Sequence, residues 1–326
     1  MRIVIPGGSG QVGSLLSRHF QAEGHAVTVL SRRVFPAPWN VVAWDGKSAG
    51  AWAEALEGCD VCINLAGRSV NCRYTPERRR EIYDSRIEST RALGAAMAGM
   101  TDPPRLWLNA STATIYRHAL DRAMDEATGE LGGGERGAPD TWNFSIKVAK
   151  DWEAAFFGAA TPRTRKVAMR SAVIMTADPS GPFALLSTLV RLGLGGANGS
   201  GKQFVSWVHA ADFVRAVEWL ILNEGLEGAV NIASPHPLPN RAFMRELRAA
   251  WGKRVGLPAT EWMIEAAALV MRTESELVLK SRQVVAGRLM GAGFRFEFPE
   301  WREAARDLVG QCRAAAAHAS QEISER

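Results

Sequence analysis

The sequence predicts a doubly wound α/β fold, a parallel sheet between two layers of helices, with a small, mainly helical C-terminal domain. Three observations carry this. Short apolar runs (RIVIP, HAVTVLS, VVAW, DVCINLAG) alternate with helix-length amphipathic segments such as SLLSRHFQAEG, as right-handed βαβ units require. The first run passes into its helix through a glycine loop, GGSGQVG, at residues 7–13. From Pro235 onward the pattern turns helical, punctuated by proline.

Taken in order, RIVIP is a buried strand, and the amphipathic segment after the glycine loop is its crossover helix. HAVTVLS, VVAW and DVCINLAG are the next strands, followed by a long helix from about Pro76 to Met100. Then come a strand RLWLNAS, a helix from Asn143 to Phe157 and a single strand KVAMRSAVIM. A Gly-rich segment, LGLGGANGSGKQF, interrupts the alternation before the helix DFVRAVEWLILNEG and the strand VNIAS restore it. The expected division is a nucleotide-binding unit of residues 1–175 with 205–235 and a substrate unit of 176–204 with 236–313. Residues 314–326 are expected to form a fraying polar tail.

The chain of 326 residues is long enough for a large core, and its 47% hydrophobic and 22% charged residues are ordinary for a globular protein. The net charge of +5 is scattered, and the longest basic run, Arg78-Arg79-Arg80, meets Glu81 at once, which argues against a nucleic-acid surface. Four cysteines make no disulfide framework at this length. Cys59 and Cys62 spell C-x-x-C at the entry to an apolar strand, where residues three apart face opposite sides, so a structural pair is expected. No run approaches the ~20 apolar residues of a membrane span, and the glycine loop comes too early for a signal peptide. A soluble cytoplasmic protein with a small-molecule substrate, no metal, no membrane contact and no nucleic-acid partner is expected. A homodimer is one arrangement open to it, although the sequence does not give the oligomeric state.

The glycine loop gains meaning from its place between strand and helix. Gly7 allows the tight turn, Gly10 lets backbone approach a pyrophosphate, and Gly13 lets helix and strand pack closely. Gln11 and Val12 open the helix, whose N-terminus favours anionic phosphate. The second strand ends in Ser31-Arg32-Arg33, where an NAD-selective site would need an acid. Arginine there suits the 2′-phosphate of NADP(H).

Several segments together resemble the YfcH-like epimerase family, a branch of the extended, atypical short-chain dehydrogenase/reductases. They are GGSGQVG, VLSRR, VVAWDG, NLAG with EIYDSRIESTRAL, KDWEAA, RLGLGGANGSGKQ, SWVHAAD and AGFRFEFP, which span nearly the whole chain. The resemblance implies a Rossmann domain that binds NADP(H), with a small C-terminal substrate domain. Position by position it implies cofactor contacts at Ser31 and Arg32, at Leu65, Ala66 and Gly67 of NLAG, and at Glu81 and Arg86 of EIYDSR, with Val173 near the nicotinamide. It identifies a cofactor far better than a reaction.

In that class a tyrosine and a lysine four residues apart usually share the helix that here reads TWNFSIKVAKDWE (141–153), yet the three tyrosines stand at 74, 83 and 116. One alignment puts Ser145 and Ala149 in the two positions; another puts Asn143 and Lys147 there. With Phe144, Val148, Trp152 and Phe156 as the buried stripe, Lys147 is the amine able to lean toward a cofactor, or else an exposed partner of Asp151. NASTATIY resembles the strand end where a hydroxyl four residues before a tyrosine holds the reacting oxygen, which nominates Thr112 and Tyr116. Any chemistry is therefore expected to run through Thr112, Tyr116 and Lys147.

Two motifs carry less. GANGSGKQ has Gln203 where a phosphate loop needs Ser or Thr, and in SWVHAAD Asp212 is expected to start a helix while His209 is structural. The expected activity is an NADP(H)-dependent oxidoreductase or epimerase-like reaction on a small polar carbonyl or hydroxyl compound, nucleotide-linked compounds included. The alternative is an NADP(H)-binding sensor or scaffold that has lost its chemistry with the tyrosine.

Overall fold

The computed structural model describes residues 1–324. In chain order its strands are β1 (Arg2–Pro6), β2 (Ala26–Ser31), β3 (Asn40–Ala43), β4 (Val61–Asn64), β5 (Leu106–Thr112), β6 (Arg165–Ser171), β7 (Val173–Met175), β8 (Phe204–Val205), β9 (Trp207–His209), β10 (Gly228–Ile232) and β11 (Leu238–Pro239). Its α-helices are α1 (Gln11–Ala22), α2 (Pro76–Ala98), α3 (Asp140–Phe157), α4 (Pro182–Arg191), α5 (Ala210–Leu222), α6 (Asn240–Ala250), α7 (Glu261–Val270), α8 (Glu276–Leu279), α9 (Gly287–Gly291) and α10 (Trp301–Ser324).

Seven parallel strands form one sheet in the order β10-β6-β5-β4-β1-β2-β3. The chain winds outward from β1 in one direction and from β4 in the other, so a switch point lies between these two strands. Ligands of such sheets bind beyond it, at the carboxyl ends of the strands. Alternation along each strand feeds two cores. Ile3, Ile5, Val29, Ile63 and Leu108 meet Leu16 of α1 and Phe213 and Val217 of α5, while Val4, Leu30 and Trp107 meet Leu93 and Met97 of α2 and Phe156 of α3. Apolar residues on both faces are what a sheet covered on both sides demands.

A third core lies past the sheet, where Phe183, Phe243, Met244, Leu247 and Leu308 surround Trp207 and Trp301. Phe243 and Trp301 stack with ring centres 4.0 Å apart. This core joins α4, α6 and α10 to β7 and β9.

The structure departs from the sequence reading in several places. KVAMRSAVIM is two strands, because Ala172 N–H bonds Ile232 O and Val173 N–H then turns to Ser206 O, which starts β7 on its pairing with β9. Cys59 precedes β4, so strand alternation does not govern it, and both cysteines enter the same core. They are free thiols, and burial pushes Cys59 up to about 12 and Cys62 well above its usual range. The helix expected from Asn143 starts at Asp140. Of the expected tail, residues 314–324 continue α10, and 325–326 lie outside the described residues.

At the start of α5 the cap is His209, whose side chain accepts from Ala211 N. Asp212 sits in the first turn, fully buried, and does different work. Its carboxylate accepts Glu297 N at 2.7 Å, Phe298 N at 2.8 Å and an Arg215 guanidinium N–H at 2.9 Å, clamping the FRFEFP segment onto the sheet domain. Asp212→Ala leaves two part-buried N–H donors without this partner. It should cost about 3 kcal/mol, since bonds to a charged group contribute about 1.5–3 kcal/mol each, and urea unfolding of the variant measures the loss.

Candidate functional site

The carboxyl ends of the strands carry two adjoining features, an open helix N-terminus and a cavity. The helix N-terminus is that of α1. Gly7 has φ +76°, and a side-chain carbon on it would stand 2.6 Å from the backbone of Ala66. On Gly13 such a carbon would collide with the backbone of Gly8, so the protein itself requires glycine at both positions. Gly10 differs: its nearest neighbour would be Gly7 O at 3.9 Å. What Gly10 leaves free is the space in front of α1. No side chain caps that helix and no acid stands in its first turn, so its first N–H groups and the positive end of its dipole remain available to an anion.

Ser31 closes β2, nearly buried, and accepts Arg33 N at 3.4 Å. Arg32 is exposed and lines an edge cleft with Trp44, Asp45 and Ser48. Glu81 is held by Arg78 at 2.8 Å and Arg68 at 2.9 Å. The Arg78 bond and the positive charges of Arg68, Arg78 and Arg32 draw its carboxyl below the usual range. Gln11 turns inward, donating to Thr176 Oγ1 at 2.7 Å, and so ties α1 to the segment after β7.

The cavity, of about 280 Å³, adjoins this loop. Val12, Leu65 and Gly67 form one wall, Thr112 and Ser111 at the end of β5 another, and Phe144, Ser145, Ala149 and Trp152 of α3 a third. Ala66 backs the wall: its N–H bonds Asn64 Oδ1 at 3.0 Å, and Asn64 in turn donates to Asn109 Oδ1 at 2.7 Å across the β4–β5 pair. Arg86 reaches the cavity from α2, donating to Arg68 O and Ile82 O at 3.0 and 2.9 Å under the ring of Trp152. It has no carboxylate partner among the described residues, and burial pulls it down to about 10.

The remaining wall comes from distant sequence. Tyr74, just before α2, presents its phenol 3.4 Å from Ser145 Oγ, and Ser145 donates to Glu276 Oε2 at 2.5 Å. Arg282 holds the other oxygen of Glu276 at 3.3 Å and donates to Thr114 Oγ1 at 3.0 Å. Glu276 is 1% exposed, and burial raises its carboxyl despite Arg282 and Ser145. Burial likewise pushes Tyr74 up to about 12, helped by the Glu276 charge. Ser145 stands in one of the two helix registers the sequence offered, but Tyr74, Glu276 and Arg282 were not singled out from it. The one local hint was a cluster of charges, E-x-x-x-K-x-R at 276–282, in an otherwise apolar stretch.

The three residues nominated for chemistry fare differently. Thr112 lines the cavity, although its hydroxyl already accepts Thr114 N at 3.1 Å. Tyr116 does not line it. Its phenol is 2% exposed, donates to Asn231 Oδ1 and accepts from Arg170, both at 2.9 Å. Arg170 is bound in turn to Glu153, so Tyr116 belongs to a buried structural network. Lys147 is also corrected: it is 66% exposed and paired with Asp151, because α3 turns Ser145 and Ala149 inward. Val173 is off by one position, since a strand alternates faces. It packs into the third core while Ile174 lines the cavity. The loop GANGSGKQ supplies no cavity-lining residue, but its Gln203 side chain donates to Asn198 O and to Val278 O, next to the cavity-lining Leu277.

Residues 3–141 match the NAD dependent epimerase/dehydratase family, and residues 259–308 match DUF1731, a domain of unknown function. The epimerase family protein SDR39U1 of Homo sapiens is 30% identical over 314 residues, covering 95% of this chain and 100% of its own length. The chain belongs to the NAD-dependent epimerase/dehydratase family. An epimerase family protein of Staphylococcus aureus shares 27% identity over 94% of this chain and 99% of its own. The human SDR39U1 structure, solved with NADPH, superposes with a TM-score of 0.82 at 28% identity, covering 95% of this chain and 99% of that one. A nucleoside-diphosphate sugar epimerase from Corynebacterium glutamicum has a TM-score of 0.73 at 26% identity, covering 99% of this chain and 61% of its own.

Since Lys147 is an exposed partner of Asp151, Lys147→Met should shift unfolding stability by no more than about 0.5 kcal/mol and leave dinucleotide binding unchanged. Chemical unfolding and a binding titration, with Lys150→Met as control, check this.

Proposed function

We propose that this protein binds NADP(H) along the carboxyl edge of the sheet and acts as an oxidoreductase or epimerase-like enzyme on a small polar carbonyl or hydroxyl compound, nucleotide-linked compounds included. The observation that carries the reading is the uncapped N-terminus of α1 with open space at Gly10, beside a cavity furnished with hydroxyl and phenol groups. Gly7, Gly10, Gly13 and the N–H groups at Gln11 and Val12 would hold the pyrophosphate, and Ser31 and Arg32 the 2′-phosphate. Leu65, Ala66 and Gly67 would flank the nicotinamide half. The NADPH in the human relative's structure supports the same choice of cofactor.

When bound, the nicotinamide supplies or accepts a hydride. The protein's part is to place the substrate oxygen near Thr112 and Tyr74 and to keep water from the apolar walls of Leu65, Phe144, Trp152 and Ile174. A second reading, a dinucleotide-binding sensor without catalysis, draws on Ser145 and Ala149 standing on the cavity-facing side of α3 in place of a tyrosine and a lysine.

Cofactor choice is tested by calorimetry. NADPH should bind about tenfold or more tightly than NADH, as a charge-assisted contact of about 1.5–3 kcal/mol requires, and Arg32→Ala should remove the preference. Equal affinities in the wild type would refute it. Gly10→Val should lose both dinucleotides while remaining folded, because a branched side chain would fill the space where the pyrophosphate approaches. Circular dichroism alongside the titration checks both halves of that outcome.

A further inference from the structure

We propose that Tyr74 is the proton-transfer residue of this cavity, serving the carbonyl or hydroxyl oxygen of a small substrate, and that the Ser145 hydroxyl links it to the buried carboxyl of Glu276. The inference rests on the cofactor reading above and adds the acid-base group which that reading lacks.

The geometry points to Tyr74 because the other two phenols are committed elsewhere. Tyr116 is held between Asn231 and Arg170, and Tyr83 donates to Asp151 at 3.0 Å. Tyr74 lines the cavity and is held at both ends of its backbone. Its N–H bonds Glu274 Oε1 at 2.6 Å, its carbonyl accepts Arg79 Nε at 3.1 Å, and its ring packs edge-on against Phe144 at 5.3 Å. Its phenol lies against Ser145, an inward position of α3 that one of the two registers pairs with the tyrosine of the resembled class. A phenol from the loop before α2 thus reaches the cavity wall formed by α3.

The charged groups around Tyr74 are Glu276 and Arg282 from the C-terminal segment and Arg86 from α2, with Glu274 on its backbone N–H. Burial and the Glu276 charge keep the phenol protonated at neutral pH, which suits a donor. In the reducing direction the bound cofactor supplies the hydride. As the carbonyl π bond opens onto oxygen, Tyr74 gives that oxygen its phenolic proton. Glu276, a carboxylate at rest, takes up a proton from solvent and hands it to Ser145 as Ser145 passes its own hydroxyl proton to the phenolate, which returns all three groups to their starting states. One carbonyl, one reduced dinucleotide and one proton become one alcohol and one oxidised dinucleotide, and the reverse path balances the oxidation.

The test reads ionisation rather than turnover. Oxidised nicotinamide carries a positive charge that the reduced ring lacks, and an opposite charge within ~4–6 Å lowers an acid's pKa by about 1–3 units. The full-length protein is loaded with NADP+ or NADPH, both checked by calorimetry. Phenolate absorbance at 295 nm is then followed within seconds of an alkaline jump, for wild type and Tyr74→Phe. The contribution lost in Tyr74→Phe should titrate at least about one pH unit lower with NADP+ than with NADPH. Glu276→Gln should lower its midpoint in both forms. Should Tyr74→Phe not fold, the same two loadings are compared on wild type alone, because Tyr83 and Tyr116 do not line the cavity. Coincident midpoints with both dinucleotides bound would overturn the assignment to Tyr74 while leaving the cofactor reading intact. Failure of either dinucleotide to bind would overturn the cofactor reading, and this inference with it.

Discussion

A carboxylate taken out of water must be met by partners, and Glu276 imposes that requirement on the whole cavity. Removing an ion from water costs several kcal/mol, which is recovered only where other groups supply charge and hydrogen bonds in good geometry. Here the partners come from separate elements. Ser145 is on α3, Arg282 is further along the C-terminal segment, and Arg282 is itself anchored to Thr114 just past β5. Lys280, also buried, donates to Thr114 O at 2.8 Å, and Glu274 grips Arg73 and Tyr74. Satisfying one buried charge therefore fixes the C-terminal segment, the loop before α2 and α3 relative to one another.

The opposite side of the cavity is built on another principle. At the start of α1 no side chain does the binding work, and the available groups are backbone donors exposed by glycine. Such donors are fixed by the fold and do not titrate, which suits an anionic group that must be held in any protonation state of the surroundings. The Glu276 side consists of titratable side chains linked by hydrogen bonds, which suits proton movement. The cavity lies between a wall of backbone donors and a wall of linked titratable side chains.

This contrast explains what the sequence revealed. The parallel sheet and the glycine loop were legible because their causes are local: strand alternation, and glycines at positions where a side-chain carbon would strike backbone. The proton-carrying groups were not legible. Tyr74 and Glu276 lie far apart in the chain and meet only after the C-terminal segment has folded back, and no spacing rule connects them. Local rules also misled in places. Lys147 was an attractive amine by composition, but the phase of α3 points it to Asp151 and solvent. Tyr116 stood at a suggestive spacing from Thr112, yet its phenol completes the network of Glu153, Arg170 and Asn231. For Val173 both the strand and the face differed, since it starts β7 on its pairing with β9 and packs into the third core while Ile174 lines the cavity.

Close packing gives a reason why the phenol arrives from a different element. Protein interiors are filled to nearly crystalline density, so the volume beside the inward-facing Ser145 of α3 is not simply left empty. Another group must occupy it, and it must satisfy the serine hydroxyl and the buried carboxylate behind it. An aliphatic side chain would fill the space but give the hydroxyl nothing to bond on that side. The ring of Tyr74 does both, packing on Phe144 with its apolar edge and meeting Ser145 with its oxygen. The serine on α3 and the tyrosine from the loop before α2 are thus two parts of one packing solution, tied together by the carboxylate of Glu276.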